Sequence, residues 1–198
     1  MKHKAFTIIE ILIVVAIVVI VAGIAIVAYS NAEPVFELNG AADQIVSALN
    51  LAKQRAISRT DNTAYWQVEF SYLGDNTKFR FMAYNADGSE HPYGDTGVFT
   101  LPQGITIDFS STDFGGGIIW PAEFISTPPN TDIDFSGSDA IRFLPVGKAV
   151  SGTGNDFNVG YLFLKNSKNP PNYKLIVITG LTGRIKAYTL TDDRLSLQ

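Results

Sequence analysis

The sequence predicts an α+β protein in which a long N-terminal α-helix packs on a C-terminal, antiparallel β-rich domain. Three observations predict this fold: an uninterrupted apolar run near the N-terminus, a helical apolar stripe after it, and an alternation of apolar and polar residues from Thr63 onward. The chain has 198 residues, of which 46% are hydrophobic and 17% charged. It is long enough for one domain with an appendage and too apolar to be disordered.

The apolar run covers residues 11–28, which include no charged side chain, and Glu10 directly precedes it. Counted from Phe6, the stretch would form a helix roughly 34 Å long, enough to cross the hydrocarbon core of a membrane. A basic leader, residues 1–5, precedes it. Positive charge in that position keeps the N-terminus cytoplasmic and places the rest of the chain across the membrane.

Three interpretations of this N-terminus compete. A cleaved secretory signal would end at a small residue such as Ala25 or Ala32, but its apolar region would be shorter than this one. A plain signal anchor explains the length and leaves Glu10 without a role. An ionisable residue inside an apolar span is costly, so the carboxylate of Glu10 indicates a function that needs a partner group.

Residues 5–10, with the sequence AFTIIE, resemble the class III signal of type IV pilins and pseudopilins. The resemblance implies that a prepilin peptidase cuts between Ala5 and Phe6, that the new amine of Phe6 is methylated, and that Glu10 acts in assembly. In this family the partner of the Glu is the amine of a neighbouring subunit, and opposite charges within about 4–6 Å favour the ionised form of each group. The family more often has glycine before the cut, where this chain has Ala5.

Helical periodicity resumes after Pro34, which is a candidate for a kink in the helix. One apolar stripe, expected to pack against a sheet, consists of Leu38, Ala41, Ile45, Leu49, Ala52 and Ala56. Residues 60–62 are expected to end the helix. The expected domains are a prepilin leader at 1–5, a transmembrane and filament-core helix at 6–33, an amphipathic half of the helix at 34–62, and a pilin-like β-rich domain at 63–198.

Alternating residues and turn signals predict eight strands in the C-terminal domain. The predicted strands are 64–70, 78–84, 98–101, 105–109, 140–144, 159–164, 174–179 and 184–190. A turn is expected around residues 74–76, and loops are expected at 115–117 and 126–139. Gly147 and Gly183 are expected to adopt positive φ in tight turns.

Four later segments resemble the GspH/FimT-like minor pseudopilins and their pilus relatives. These segments are ALNLAKQRAISR at 48–59, LPQGIT at 101–106, IRFLPVG at 141–147 and LIVITGLTGRI at 175–185. Lys53 stands where the subgroup more often has Arg. The resemblance implies a minor pseudopilin, a structural subunit of an inner-membrane-anchored filament in type II protein secretion. The alternative is a minor type IV pilus subunit for pilus assembly or DNA capture and uptake.

Residue types exclude several classes of enzyme. The chain has no cysteine, and its only histidines are His3 and His91, so it has no thiol nucleophile and no multi-histidine metal site. His91 is expected in a solvated turn. A cluster of Asp132, Asp134 and Asp139 offers oxygen ligands for calcium but lacks the EF-hand spacing. We therefore expect no catalytic residue, no metal and no cofactor.

DNA is the weaker of the expected partners, after other pilin or pseudopilin subunits, the prepilin peptidase and the inner membrane. The formal charge of −4 becomes −6 when Lys2 and Lys4 leave with the leader, which disfavours broad affinity for nucleic acid. Near the C-terminus, the side chains of Arg184, Lys186 and Arg194 are candidates for phosphate contacts.

Overall fold

The computed structural model describes residues 7–58, 63–108, 133–167, 172–191 and 194–197. The chain divides into two compact units, Met1–Phe36 and Glu37–Gln198, here called unit 1 and unit 2. One helix, α1, extends from Ile8 to Ser58 and contributes residues to both units. The structure therefore confirms the α+β class, with a long N-terminal helix followed by antiparallel strands.

Unit 1 contains the apolar part of α1. Residues Ile8–Ile26 have a mean hydropathy of 3.2, and by length and composition they form a helix that is able to cross a membrane. The described side chains of this segment are exposed in the isolated chain. Packing within the described part of the chain therefore does not account for these aliphatic side chains, whose length and composition suit a bilayer.

Unit 2 begins with the amphipathic part of α1, and the predicted stripe forms its buried face. The exposed fraction does not exceed 4% for any of the six residues: Leu38, Ala41, Ile45, Leu49, Ala52 and Ala56. Three of the six residues are alanines, whose small side chains let strand side chains approach the helix closely. Pro34 lies inside the helix, in unit 1.

Among the residues that the structure describes, twelve strands follow α1, all in antiparallel pairs. They are β1 (Thr63–Phe70), β2 (Lys78–Asn85), β3 (Glu90–Pro92), β4 (Val98–Thr100), β5 (Ile105–Ile107), β6 (Ile133–Asp134), β7 (Ala140–Phe143), β8 (Ala149–Ser151), β9 (Val159–Asn166), β10 (Tyr173–Thr179), β11 (Arg184–Thr191) and β12 (Arg194–Leu197). A 3-10 turn, Tyr72–Gly74, connects β1 to β2.

The strands form two sheets. The first has the order β3-β2-β1-β7-β8, with β4 also paired to β2, and the second has the order β12-β11-β10-β9-β5, with β6 paired to β9. Side chains from α1 and from both sheets form one core, to which Phe70, Phe143, Leu162 and Ile176 belong. A smaller buried cluster includes Phe163, Leu175 and Val177, which alternate with the core residues along β9 and β10 and thus occupy the other face of the second sheet.

The eight predicted strands are all present, although their ends differ by one or two residues where both ends are described. Four described strands were not predicted: β3, β6, β8 and β12. Their two to four residues are too few to show a period of two, and they form because β2, β9, β7 and β11 offer hydrogen-bonding edges.

Two loop assignments were wrong in detail. His91 lies in β3, paired with Ala83, rather than in a turn. The segment 126–139, predicted as a loop, contains β6, which pairs with β9 at Leu162 and Tyr161. The predicted loop at 115–117 and the helix stop at 60–62 lie outside the described residues.

Candidate functional site

The first turn of α1 is fixed by hydrogen bonds between Thr7 and Glu10. The backbone N–H and the hydroxyl of Thr7 both donate to Oε2 of Glu10, each at 2.8 Å. In return, the backbone N–H of Glu10 donates to Oγ1 of Thr7 at 3.3 Å. This reciprocal arrangement is a capping box, with Thr7 at the N-cap position and Glu10 at the third helical position.

The capping box gives Glu10 a local role that the sequence analysis missed. The signal was available, because Thr-x-x-Glu before an apolar run is the usual signature of such a cap. The carboxylate is exposed, and the positive end of the helix dipole also favours a negative charge there. Ala5 and Phe6, the residues expected at the cleavage and methylation sites, lie outside the described residues.

A second site joins the C-terminal end of α1 to two turns of the sheets. Nζ of Lys53 donates to the carbonyl oxygens of Thr182 and Gly183, at 2.9 and 3.1 Å. The turn between β10 and β11, which contains these carbonyls, lies against the turn between β7 and β8. A Cβ atom added to Gly183 would lie 2.5 Å from the carbonyl oxygen of Gly147. We call this arrangement of Lys53, Gly147 and Gly183 the helix–turn junction.

The junction explains three of the sequence motifs in physical terms. Gly147 and Gly183 adopt φ values of +79° and +56°, as predicted. A Cβ at Gly183 would clash with backbone, whereas a Cβ at Gly147 would approach only the side chain of Ile57, at 3.3 Å. Ala149 adds a backbone hydrogen bond of 2.8 Å from its N–H to the carbonyl of Gly180, which links the two sheets. The motifs at 48–59, 141–147 and 175–185 thus meet at one place.

Residues 1–26 match the family model described as the prokaryotic N-terminal methylation motif. This motif covers the N-terminal end of the chain, where the basic leader, Thr7 and Glu10 lie. The single apolar helix found in the described residues fits an anchor in the inner membrane.

Two solved structures resemble this chain distantly. A structure of the minor pseudopilin EpsH from the type 2 secretion system of Vibrio cholerae is 15% identical over 82% of this chain and 96% of that chain, with a TM-score of 0.37. A crystal structure of EpsH from the same organism is 17% identical over 81% of this chain and 92% of that chain, with a TM-score of 0.36. No curated protein sequence matches this chain.

The basic residues near the C-terminus of the chain are only partly brought together. Arg184 and Lys186 occupy alternate positions of β11 and therefore share one face of the strand. Arg184 is exposed, whereas Nζ of Lys186 donates to Oη of Tyr188 at 3.3 Å and lies 5.9 Å from the centre of its ring. Arg194 lies in β12, opposite Thr191.

The acidic cluster forms no cation site in the part of the chain that the structure describes, where no group of three His, Cys, Asp or Glu side chains converges. Oδ1 of Asp134 accepts a hydrogen bond from the backbone N–H of Gly137 at 2.8 Å, which is an ordinary turn contact. Asp132 lies outside the described residues. His91 is exposed, and its Nε2 lies 2.9 Å from Nδ2 of Asn85.

Proposed function

We propose that this chain is a minor pseudopilin of the GspH/FimT-like group, a structural subunit of an inner-membrane-anchored filament that takes part in type II protein secretion. The observation that carries the proposal is the methylation motif at residues 1–26, together with an exposed apolar helix capped by Thr7 and Glu10. The motifs around Lys53, Gly147 and Gly183 support the choice of subgroup.

In this proposal the prepilin peptidase cuts between Ala5 and Phe6, and the amine of Phe6 is then methylated. Both donors of Thr7 bind the same oxygen of Glu10, so the cap uses Oε2. Oε1 then accepts the N-terminal amine of a neighbouring subunit, because opposite charges in a medium of low dielectric constant attract strongly. The cap and the assembly contact are therefore compatible.

The proposed topology has the leader 1–5 in the cytoplasm, since Lys2 and Lys4 hold that end on the inner side. Residues 6–33 form the membrane and filament-core helix, and 34–62 form its amphipathic half. The β-rich domain, 63–198, lies outside the cytoplasm, in the periplasm or on a filament at the cell surface.

Substitutions at Glu10 test the assembly mechanism. Glu10→Ala removes both the cap and the charge, whereas Glu10→Gln keeps an acceptor for Thr7 and removes only the charge. Both variants should insert in the membrane and be cut by the peptidase, and both should fail to enter filaments, as measured by processing on immunoblots and by filament recovery. Normal incorporation of Glu10→Gln would show that the charge is incidental.

A strain that lacks this gene tests whether the filament serves type II secretion or is a type IV pilus. We expect exoproteins to accumulate in the periplasm while surface pili, twitching and DNA uptake remain. Loss of pili or of uptake with normal secretion would instead indicate a minor type IV pilin.

DNA capture is the second candidate function, favoured by one observation: Arg184 and Lys186 share a face of β11, and Arg184 is exposed. If the chain captures DNA there, replacing Arg184 and Lys186 by Ala, together or with Arg194→Ala, should abolish binding in a gel-shift assay and lower its salt dependence. Unchanged binding, or no binding by the parent chain, would remove this function.

A further inference from the structure

One face of the first sheet carries two arginines, Arg80 on β2 and Arg142 on β7. Arg80 lies opposite Glu69 of β1, and Arg142 lies opposite Gln67 of the same strand. Because side chains alternate along a strand, all four occupy the face that points away from the core residue Val68. We call this surface the outer face of the first sheet.

The guanidinium of Arg80 already has carboxylate partners within the subunit. Its Nη2 lies 2.8 Å from Oε2 of Glu69, and its Nη1 lies 3.6 Å from Oε2 of Glu90. The Nη2 group also donates to Oη of Tyr84 at 3.4 Å, and the centre of the Tyr72 ring lies 4.8 Å from Cζ. Since two carboxylates face one guanidinium, this part of the outer face is net negative.

The guanidinium of Arg142 is held in place without a carboxylate. Its Nε donates to Oε1 of Gln67 at 2.9 Å, and Gln67 is only 9% exposed. Its Cζ lies 4.4 Å from the centre of the Tyr65 ring, which also stacks on Tyr84 with the ring centres 4.9 Å apart. Within the part of the chain that the structure describes, Nη1 and Nη2 of Arg142 have no hydrogen-bond acceptor and no acidic partner.

The turn after β8 borders this guanidinium and adds no negative charge to it. A Cβ on Gly154 would lie 3.7 Å from Nη1 of Arg142. Residues 151–155, with the sequence SGTGN, are uncharged. The next residue, Asp156, pairs with Lys148 at 2.6 Å. No carboxylate of the described residues is therefore placed to pair with Arg142.

The free edge of the Arg142 guanidinium suits one particular kind of ligand. A planar guanidinium binds a carboxylate or a phosphate through two parallel hydrogen bonds. Because Gln67 and Tyr65 already hold this group, it loses little conformational freedom when Nη1 and Nη2 bind an anion. The net negative charge around Arg80, on the same face, disfavours a polyanion such as nucleic acid, whereas a single carboxylate needs only Arg142. Tyrosine and arginine are also enriched among the residues that dominate protein interfaces.

We propose that Arg142 binds the carboxylate of an aspartate or glutamate side chain that another protein presents to the outer face of the first sheet. Nη1 and Nη2 donate the two hydrogen bonds, and Gln67 fixes the orientation of the guanidinium. The half-buried rings of Tyr65 and Tyr84 supply apolar contact area beside it. The inference does not depend on the proposed function, because it concerns this face of the sheet alone.

Peptide titration of the full-length protein in micelles of an uncharged detergent tests the site. The probe is the tripeptide Gly-Glu-Gly with both ends blocked, and the matched control is the blocked tripeptide Gly-Gln-Gly, which differs only in the charge. Binding is followed at low salt through the backbone amide signals of β7 in nuclear magnetic resonance spectra. We expect the glutamate peptide to bind at least tenfold more tightly than the glutamine peptide. Equal affinities, or no binding of the glutamate peptide, would overturn the inference.

Variants of Arg142 show whether that binding uses the guanidinium. Arg142→Gln should weaken binding of the glutamate peptide at least tenfold. Arg142→Lys, which keeps the charge but not the planar pair of donors, should weaken it at least threefold, and it replaces Arg142→Gln if that variant does not fold. Arg55→Gln removes an exposed arginine of α1 and should leave the affinity unchanged. Unchanged binding by the Arg142 variants would overturn the inference.

Inorganic phosphate and a short oligodeoxythymidine are the remaining probes. We expect both to bind more weakly than the glutamate peptide, because Glu69 and Glu90 repel added negative charge. Tighter binding of either probe, lost in Arg142→Gln, would assign the site to phosphate or to nucleic acid and would overturn the inference of an acidic protein partner.

Discussion

The replacement of Gly183 by alanine should destabilise unit 2 through the close packing of the two turns. At φ +56° a non-glycine residue costs about 1–2 kcal/mol. The new Cβ would also lie 2.5 Å from the Gly147 carbonyl oxygen, and because that neighbour is backbone, a turn must move. Overpacking of this kind costs about 1–3 kcal/mol. Together, the free energy of unfolding should fall by about 2–5 kcal/mol.

Gly88→Ala is the matched control for this prediction. Gly88 has φ +84°, and a Cβ there would meet no atom within 4 Å, so the control carries the cost of the dihedral angle alone. Both variants are measured as full-length protein in detergent by chemical denaturation, followed by tryptophan fluorescence, to which Trp66 in β1 contributes. Equal losses of stability for Gly88→Ala and Gly183→Ala would refute the steric argument.

Three further predictions concern single side chains. Lys53→Met should lower the free energy of unfolding by about 1–2 kcal/mol, because two charged hydrogen bonds are lost, whereas Lys53→Arg should retain most of it. Burial lowers the pKa of Lys174, an effect that Asp43 partly offsets. Since the unfolded chain then binds more protons than the folded one, the free energy of unfolding should rise as pH increases from the lowered pKa towards the ordinary value of lysine. Denaturation between about pH 7 and 10 tests this, and Lys174→Met should remove the slope. Thr7→Val should speed amide exchange at Glu10 by removing the hydroxyl of the cap, while Thr7→Ser should preserve protection in nuclear magnetic resonance spectra of the protein in micelles.

Features set by neighbouring residues in the sequence could be predicted well. The stripe from Leu38 to Ala56 has a helical period, and all of its residues are buried. The long strands β1 and β2 alternate, and the two turn glycines have the positive φ that their context requires. In each case, residues close together in the sequence are enough to determine the local structure.

Features set by the order of strands could not be predicted. Nothing near Gly147 or Gly183 in the sequence shows that their turns touch, because that contact follows from β8 and β10 meeting through Ala149 and Gly180. The role of Lys53 depends on the same contact, so the sequence marked it only as a departure from the more usual Arg. Thr7 is different, because the Thr-x-x-Glu pattern of the cap is local in the sequence. The sequence analysis considered only the charge of Glu10 and missed this pattern.

Val146 and Leu181 bear on why the two turns of the junction have the residues they do. A tight turn at positive φ needs glycine, which Gly147 and Gly183 supply, but it needs no aliphatic side chain one or two positions earlier. At exposures of 83% and 72%, Val146 and Leu181 gain little from burial. Neither the geometry of the turns nor packing within the described part of the chain therefore requires an apolar residue at these two positions, so Val146→Ser and Leu181→Ser should each change the free energy of unfolding by less than about 0.5 kcal/mol.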